Sequence, residues 1–230
     1  MPIIVFASSK GGAGKTSAAL LLACELAIAG KRVAMIDADP NKPLVRWASL
    51  PGRPGNLDVH GNVDQDTIIQ VIESLAETSD FVIVDLEGSA NMMVGYAISR
   101  ADLVIMPSQQ NALDVLEVLK TVRMIAAQER AFRITLPRAA LWTMTSPAIR
   151  SRTGQGLDHQ LRELNIPIFD TQIVKRDAIA ALFGRGGSLH DMAPKEYKTV
   201  DSAILNAQAF AKEVVGMLRA AATANAGRAA

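Results

Sequence analysis

The stretch Ser9-Lys10-Gly11-Gly12-Ala13-Gly14-Lys15-Thr16 constrains this chain more than any other. It follows the apolar run Ile3-Ile4-Val5-Phe6 and leads into a long helical pattern, so it falls where a first strand turns into a first helix. Glycines let a backbone wrap an anion without Cβ interference, and successive N–H groups then converge on phosphate oxygens. The helix N-terminus adds its partial positive charge. In such a loop Lys15 reaches the β- and γ-phosphates and Thr16 ligates Mg²⁺, while Gly11, Gly12, Ala13, Gly14 and Ser17 complete the cradle. A glycine-rich turn that binds nothing is the plain alternative, and the strand-then-helix context argues against it. The ordinary phosphate loop wants glycine where this chain has Ser9, and it lacks the second lysine, Lys10. Lys15 already fills the site's own phosphates, which leaves Lys10 either to reach a phosphate bound by a facing subunit or to stand as a solvated surface lysine.

Two acidic strand ends accompany the loop. Val33-Ala34-Met35-Ile36-Asp37-Ala38-Asp39-Pro40 closes an apolar run with two carboxylates two residues apart. In a strand these share a face, and at its C-terminal end they look into the crevice where ligands bind. Phe81-Val82-Ile83-Val84-Asp85 has the form of a Walker B strand, whose carboxylate binds Mg²⁺ through water.

Apolar strand-like runs near 2–7, 32–37, 80–85, 102–107 and 138–144, with weaker ones near 56–60 and 167–173, alternate with helical patterns. The helices are expected near 15–29, 64–78, 90–99, 111–129, 154–164, 175–184 and 199–222, with Asn111 as an N-cap. That alternation predicts an α/β fold, a single-domain doubly wound and mostly parallel sheet with helices on both faces. Residues 1–222 form the expected domain, and 223–230 a flexible tail. The apolar fraction is 49% against only 4% aromatic residues, which suits buried parallel strands. No apolar stretch reaches the roughly 18 residues of a membrane span. No secretion leader is expected, and the lone Cys24 reads as a small core residue in a reducing cytoplasm.

The net charge of +1 is unevenly distributed. Residues 1–63 carry seven basic and four acidic side chains, 64–117 one and ten, and 118–230 sixteen and nine. Arg130 to Arg152 holds five arginines and no acid. A basic back half of this kind can present one face to a polyanion.

With its second lysine, the loop resembles the deviant Walker A loop of the ParA/MinD family of P-loop ATPases, and the likeness covers nearly the whole chain. The stretch Asp37-Ala38-Asp39-Pro40-Asn41-Lys42-Pro43-Leu44-Val45-Arg46-Trp47 is similar to the small partition and conjugative-transfer members, including the VirC-type ATPase of T-DNA transfer. The resemblance implies an ATPase, slow without a partner, whose signature lysine Lys10 crosses an ATP-sandwich homodimer. It makes Lys10, Lys15 and Asp39 catalytic, with Asp39 positioning water, and Thr16, Asp37 and Asp85 the metal-side residues. It also implies partition or positioning of plasmid, chromosomal or transfer DNA, bound without sequence preference, and a ParB-like or transfer-complex adaptor that stimulates hydrolysis. The protein would be cytoplasmic and nucleoid-associated when ATP-bound. Leu86-Glu87-Gly88-Ser89 replaces the usual switch II sequence, and the resemblance is to members expected to lack the extra N-terminal DNA-binding domain of longer ones.

Arg150, Arg152, Lys175 and Arg176 are the candidate DNA contacts, acting through counterion release on the phosphate backbone. Arg133 and Arg138 are expected only to flank a strand. Thr143, Met144 and the segment around Asp170 are candidates beside the adenine. Two other classes weigh against this reading. A MinD-like organiser of a membrane or protein assembly needs a basic amphipathic C-terminal helix, and residues 203–222 offer only Lys212 and Arg219, so no stable membrane attachment is expected. An iron–sulfur reductase needs cluster cysteines that Cys24 cannot supply. A small-molecule kinase or ligase stays open at this point.

Overall fold

A computed structural model describes residues 1–88, 92–146 and 152–229. Strands β1 (Ile3–Phe6), β2 (Val33–Ala38), β3 (Leu57–His60), β4 (Phe81–Leu86), β5 (Leu103–Ser108), β6 (Arg138–Thr145) and β7 (Ile173–Val174) form one sheet in the order β3-β2-β4-β1-β5-β6-β7. Every pairing is parallel, as the alternation predicts. Helices α1 (Lys15–Ile28), α2 (Pro43–Ala48), α3 (Ile68–Thr78), α4 (Met92–Ile98), α5 (Ala112–Phe132), α6 (Arg152–Glu163), α7 (Asp177–Arg185) and α8 (Val200–Ala229) connect and cover the strands.

Alternate residues of β1 feed two cores. Ile4 and Phe6 pack with α1, α7 and α8, and Val5 with α3, α4 and α5. Helix α1 is apolar over most of its circumference, which suits its place between the sheet and α8. Cys24 lies in this core as expected, and burial beside Glu25 and Asp191 pushes its thiol up to about 12. Among the described residues no helix is long and apolar enough to cross a membrane.

Three expectations shift. Residues 167–173 do not form one continuous strand. Only Ile168 bridges Ala140 before the chain turns Phe169 into the core against Phe210, and the ladder resumes at Ile173. Helix α2 was not foreseen. Pro43 starts it, and its amides are held by a carboxylate from β2 rather than by a local cap. Helix α8 runs through Ala229, past the expected end at 222. Asn111 caps α5 as expected, its side chain accepting the Asp114 amide at 2.9 Å. Arg133 ends α5 with φ 54°, and Arg138 opens β6 paired to Glu129 at 2.9 Å, so both do flank a strand.

Position is the main consequence of this topology. Strand β1 lies between β4 and β5, while its helix carries the chain over β4 to β2. The C-terminal ends of β1, β2 and β4 therefore open into one crevice at the point where the strand order reverses.

Candidate nucleotide-binding site

The phosphate loop leaves β1 and enters α1 at Gly14, which caps the helix with φ 71°, and Gly12 has φ 79°. Both conformations favour glycine. The loop is braced from distant parts of the chain. The Thr143 hydroxyl donates to the Ala13 carbonyl at 2.7 Å, and the Gln109 side-chain amide donates to the Gly12 carbonyl at 3.0 Å. Gly88, after β4, lies so close that a Cβ there would meet the backbone of Lys10 and Gly11 at 2.7 and 2.8 Å. Only glycine fits against the loop at that position. The sequence singled out Gly88 as part of an unusual switch II but carried no sign of this contact.

Lys15 and Asp85 form the floor. The Lys15 ammonium donates to Asp85 Oδ1 at 3.1 Å, with the lysine side chain 8% exposed and the carboxylate fully buried. Asp85 Oδ2 is buried without a hydrogen-bond partner among the described residues. Burial raises the Asp85 carboxyl above its ordinary range, and Lys15 and Thr16 only partly oppose this. An orphaned, buried oxygen calls for a proton or a cation. Set beside the Thr16 hydroxyl, it fits a hard ion such as Mg²⁺, which keeps much of its water and asks for few protein ligands. No cluster of three or more His, Cys, Asp or Glu ligands occurs among the described residues, so a fully protein-ligated site has no candidate there.

Asp37 stands beside Asp85 in the parallel register of β2 and β4. Its Oδ2 accepts the amides of Leu44 at 2.9 Å and Val45 at 3.0 Å, and its Oδ1 accepts that of Asp39 at 3.3 Å. Burial raises its carboxyl despite these bonds. The residue assigned by resemblance to the metal side therefore holds the first turn of α2. Asp39 is half-buried and accepts the Asn41 amide at 2.8 Å. With Lys10, Lys15, Thr16 and Pro43 it lines a cavity of about 320 Å³ over the loop.

Lys10 sits at the rim. Its ammonium reaches Asp114 Oδ1 on α5 at 2.6 Å, and its side chain is 47% exposed against 3% for Asp114. The neighbouring Ser9 hydroxyl donates to the Glu117 carboxylate on the same helix. That bond gives a structural use to the serine that departs from the ordinary loop. Lys120 and Ser9 hold the Glu117 carboxyl below the usual carboxylate range.

A second cavity of about 320 Å³ adjoins the loop on the α7 side. Gly14 and Ser17 border it together with Thr143, Met144, Ile173, Ile179 and Phe183. Met144 takes φ 54° where β6 and β7 slip register, and it stays 40% exposed at this mouth. An apolar slot beside a phosphate loop suits a flat nucleobase. Thr143 and Met144 are thus where a base-side residue should be, whereas Asp170 lines a different, polar cavity with Trp142 and Asp158.

Lys175 and Arg176, expected to face DNA, also border the apolar slot at the start of α7, and Arg176 Nε is buried without a partner among the described residues. Arg150 lies outside the described residues, and Arg152 begins α6. The structure therefore brings Lys10, Gly11, Gly12, Gly14, Lys15, Thr16, Ser17 and Asp39 to one cavity, with Asp37 and Asp85 beneath it.

The comparisons with known proteins agree with this geometry. The sequence profile of the VirC1 protein family matches residues 1–222. The protein ParA of Rhizobium radiobacter is 42% identical over 214 residues, covering 93% of this chain and 96% of that protein. Among solved structures, apo McdA of Cyanothece superposes with a TM-score of 0.72 at 18% identity, covering 90% of this chain and 99% of that one. The septum site-determining protein MinD of Pyrococcus horikoshii, solved with Mg-ADP, gives 0.66 at 17% identity over 93% and 95%.

Proposed function

We propose that this chain, which belongs to the VirC1 protein family, works as a ParA-type ATP-driven switch that positions DNA. The observation that carries the reading is the pair of lysines in one loop, one buried on its own floor and one half-exposed at the rim. Bound ATP places its β- and γ-phosphates over the loop amides, and Lys15 turns from Asp85 to them. Thr16 and Asp85 would hold a Mg²⁺ ion, which would supply charge neutralisation to the bound phosphates. Asp39, at the cavity wall, orients the attacking water. Lys10 leaves Asp114 and reaches the phosphates of a second copy, so the dimer forms only when both sites are filled.

Hydrolysis is slow until a ParB-like or transfer-complex adaptor engages the dimer, and it then resets the switch. Magnesium and ADP are held together in the related MinD fold, which supports the cofactor pair. Arg150, Arg152 and Lys175 are the proposed DNA contacts, doubled by dimerisation so that retention depends on ATP through avidity. Arg176, half-buried at the slot, belongs first to the base side.

Filter retention of duplex DNA tests the cargo. The reading expects ATP-dependent retention that falls about tenfold or more between 50 and 200 mM salt. The double variant Arg150→Glu, Arg152→Glu should abolish it without changing basal hydrolysis. Retention that ignores both ATP and these arginines would move the function away from DNA.

A further inference from the structure

A buried side chain links the two walls of the nucleotide cleft. Helix α2 forms the wall on the γ-phosphate side, since Asp37 grips its first turn and Asp39 and Pro43 line the phosphate cavity. Helix α7 forms the wall on the base side through Ile179 and Ala180, and its Phe183 lines both this slot and the phosphate cavity. Trp47 of α2 is fully buried, and its indole N–H donates to the Gly187 carbonyl just beyond α7 at 3.0 Å.

The contact around that bond is stiff. Gly186 and Gly187 have φ 82° and 67°, and Gly52, beyond α2, has φ 90°. A Cβ on Gly186 would meet the Leu50 Cβ and the Pro51 carbonyl oxygen at 2.6 Å, and one on Gly52 would meet Gly187 Cα at 3.2 Å. Ser188 and Asp191 lock the next turn, with the Ser188 amide donating to the Asp191 carboxylate at 2.8 Å and its hydroxyl at 2.7 Å. Backbone packed this closely transmits a displacement rather than absorbing it.

We infer that Trp47 is a positioning residue: through its bond to Gly187 it carries occupancy of the base slot at α7 to α2, and so to the placement of Asp39. The inference rests on the proposed ATPase reading of the same site. Its consequence is that a triphosphate lacking a base fills the loop but leaves Asp39 poorly placed. Selection for the whole nucleotide then acts on turnover as well as on binding.

The test uses the full chain. It has two tryptophans, so Trp142→Phe leaves Trp47 as the only indole reporter. Calorimetry measures binding of ADP and of inorganic tripolyphosphate independently of the optical signal. ADP is expected to shift Trp47 emission, and bound tripolyphosphate to leave it unchanged. Bound ADP with no shift, or an equal shift from both ligands, overturns the coupling while leaving the nucleotide site intact. Failure of both to bind would instead overturn the site reading and the coupling with it. As a second arm, Trp47→Phe should lower kcat for ATP about tenfold with KM held within about twofold. A Trp47→Phe protein with both constants unchanged assigns Trp47 to core packing alone.

Discussion

Lys15 and Lys10 belong to one short loop, yet one is sealed against Asp85 at 3.1 Å on the sheet and the other lies half in solvent against Asp114 at 2.6 Å. The floor of the loop is braced by Thr143, Gln109 and the backbone-tight Gly88. At the rim, the side chains of Ser9 and Lys10 are tied to α5. Distance does not rank the two pairs. The shorter bond is the weaker anchor, because the Lys10 side chain is 47% exposed and water screens its end of the pair. Removing one partner of a buried pair, by contrast, costs about 3 to 5 kcal/mol. The floor is therefore preformed for a phosphate, and the rim is held in a way that a competing phosphate can displace.

The largest effect should come from the floor. Lys15→Ala is expected to weaken ATP binding at least about 100-fold, close to 2.7 kcal/mol, by calorimetry. It should also leave Asp85 more easily protonated, since its main opposing charge is gone. Binding within a few fold of the parent would break the contrast at its strong end.

A smaller effect of opposite sign is expected at the rim. Asp114→Ala releases Lys10 from its intramolecular partner and should tighten the ATP-dependent dimer about threefold to fivefold, as suits a half-exposed pair. Concentration-dependent light scattering reads this directly. A weaker dimer would mean that Asp114 supports the interface rather than restraining the lysine.

The smallest effect concerns Glu117. Its carboxyl is held low by Lys120 and Ser9, so its contribution is present above the unfolded carboxylate pKa and is lost as pH falls through the depressed folded value. Glu117→Gln should lower Tm slightly at neutral pH, leave it nearly unchanged below the depressed folded pKa, and so flatten that acid-side part of the Tm–pH curve. An unaltered acid limb would show that the Ser9 tie carries no stability.

Legibility in the sequence followed the range of the interactions. The phosphate loop, the two acidic strand ends and the alternation of strands and helices are local patterns, and they located the sheet and the phosphate cavity. Asn111 at the head of α5 was equally readable, because an N-cap acts within one turn. Helix α2 was not, since its cap comes from Asp37 on the preceding strand. Thr143 meets Ala13 from 130 residues away, and Trp47 meets Gly187 across 140. Gly88 presses on Lys10 and Gly11 from a different strand end. No spacing rule reports such meetings. The base side of the cleft is built almost wholly from them, and the phosphate side largely from neighbours in sequence.

The central claim is that Lys10 serves a facing copy while Lys15 serves its own nucleotide. Light scattering on the full chain with Mg-ATP, before and after Lys10→Ala, tests it most directly. The account predicts a dimer for the parent and a monomer for the variant, with the two binding ATP within about threefold of each other. An ATP-dependent dimer that survives Lys10→Ala would contradict it.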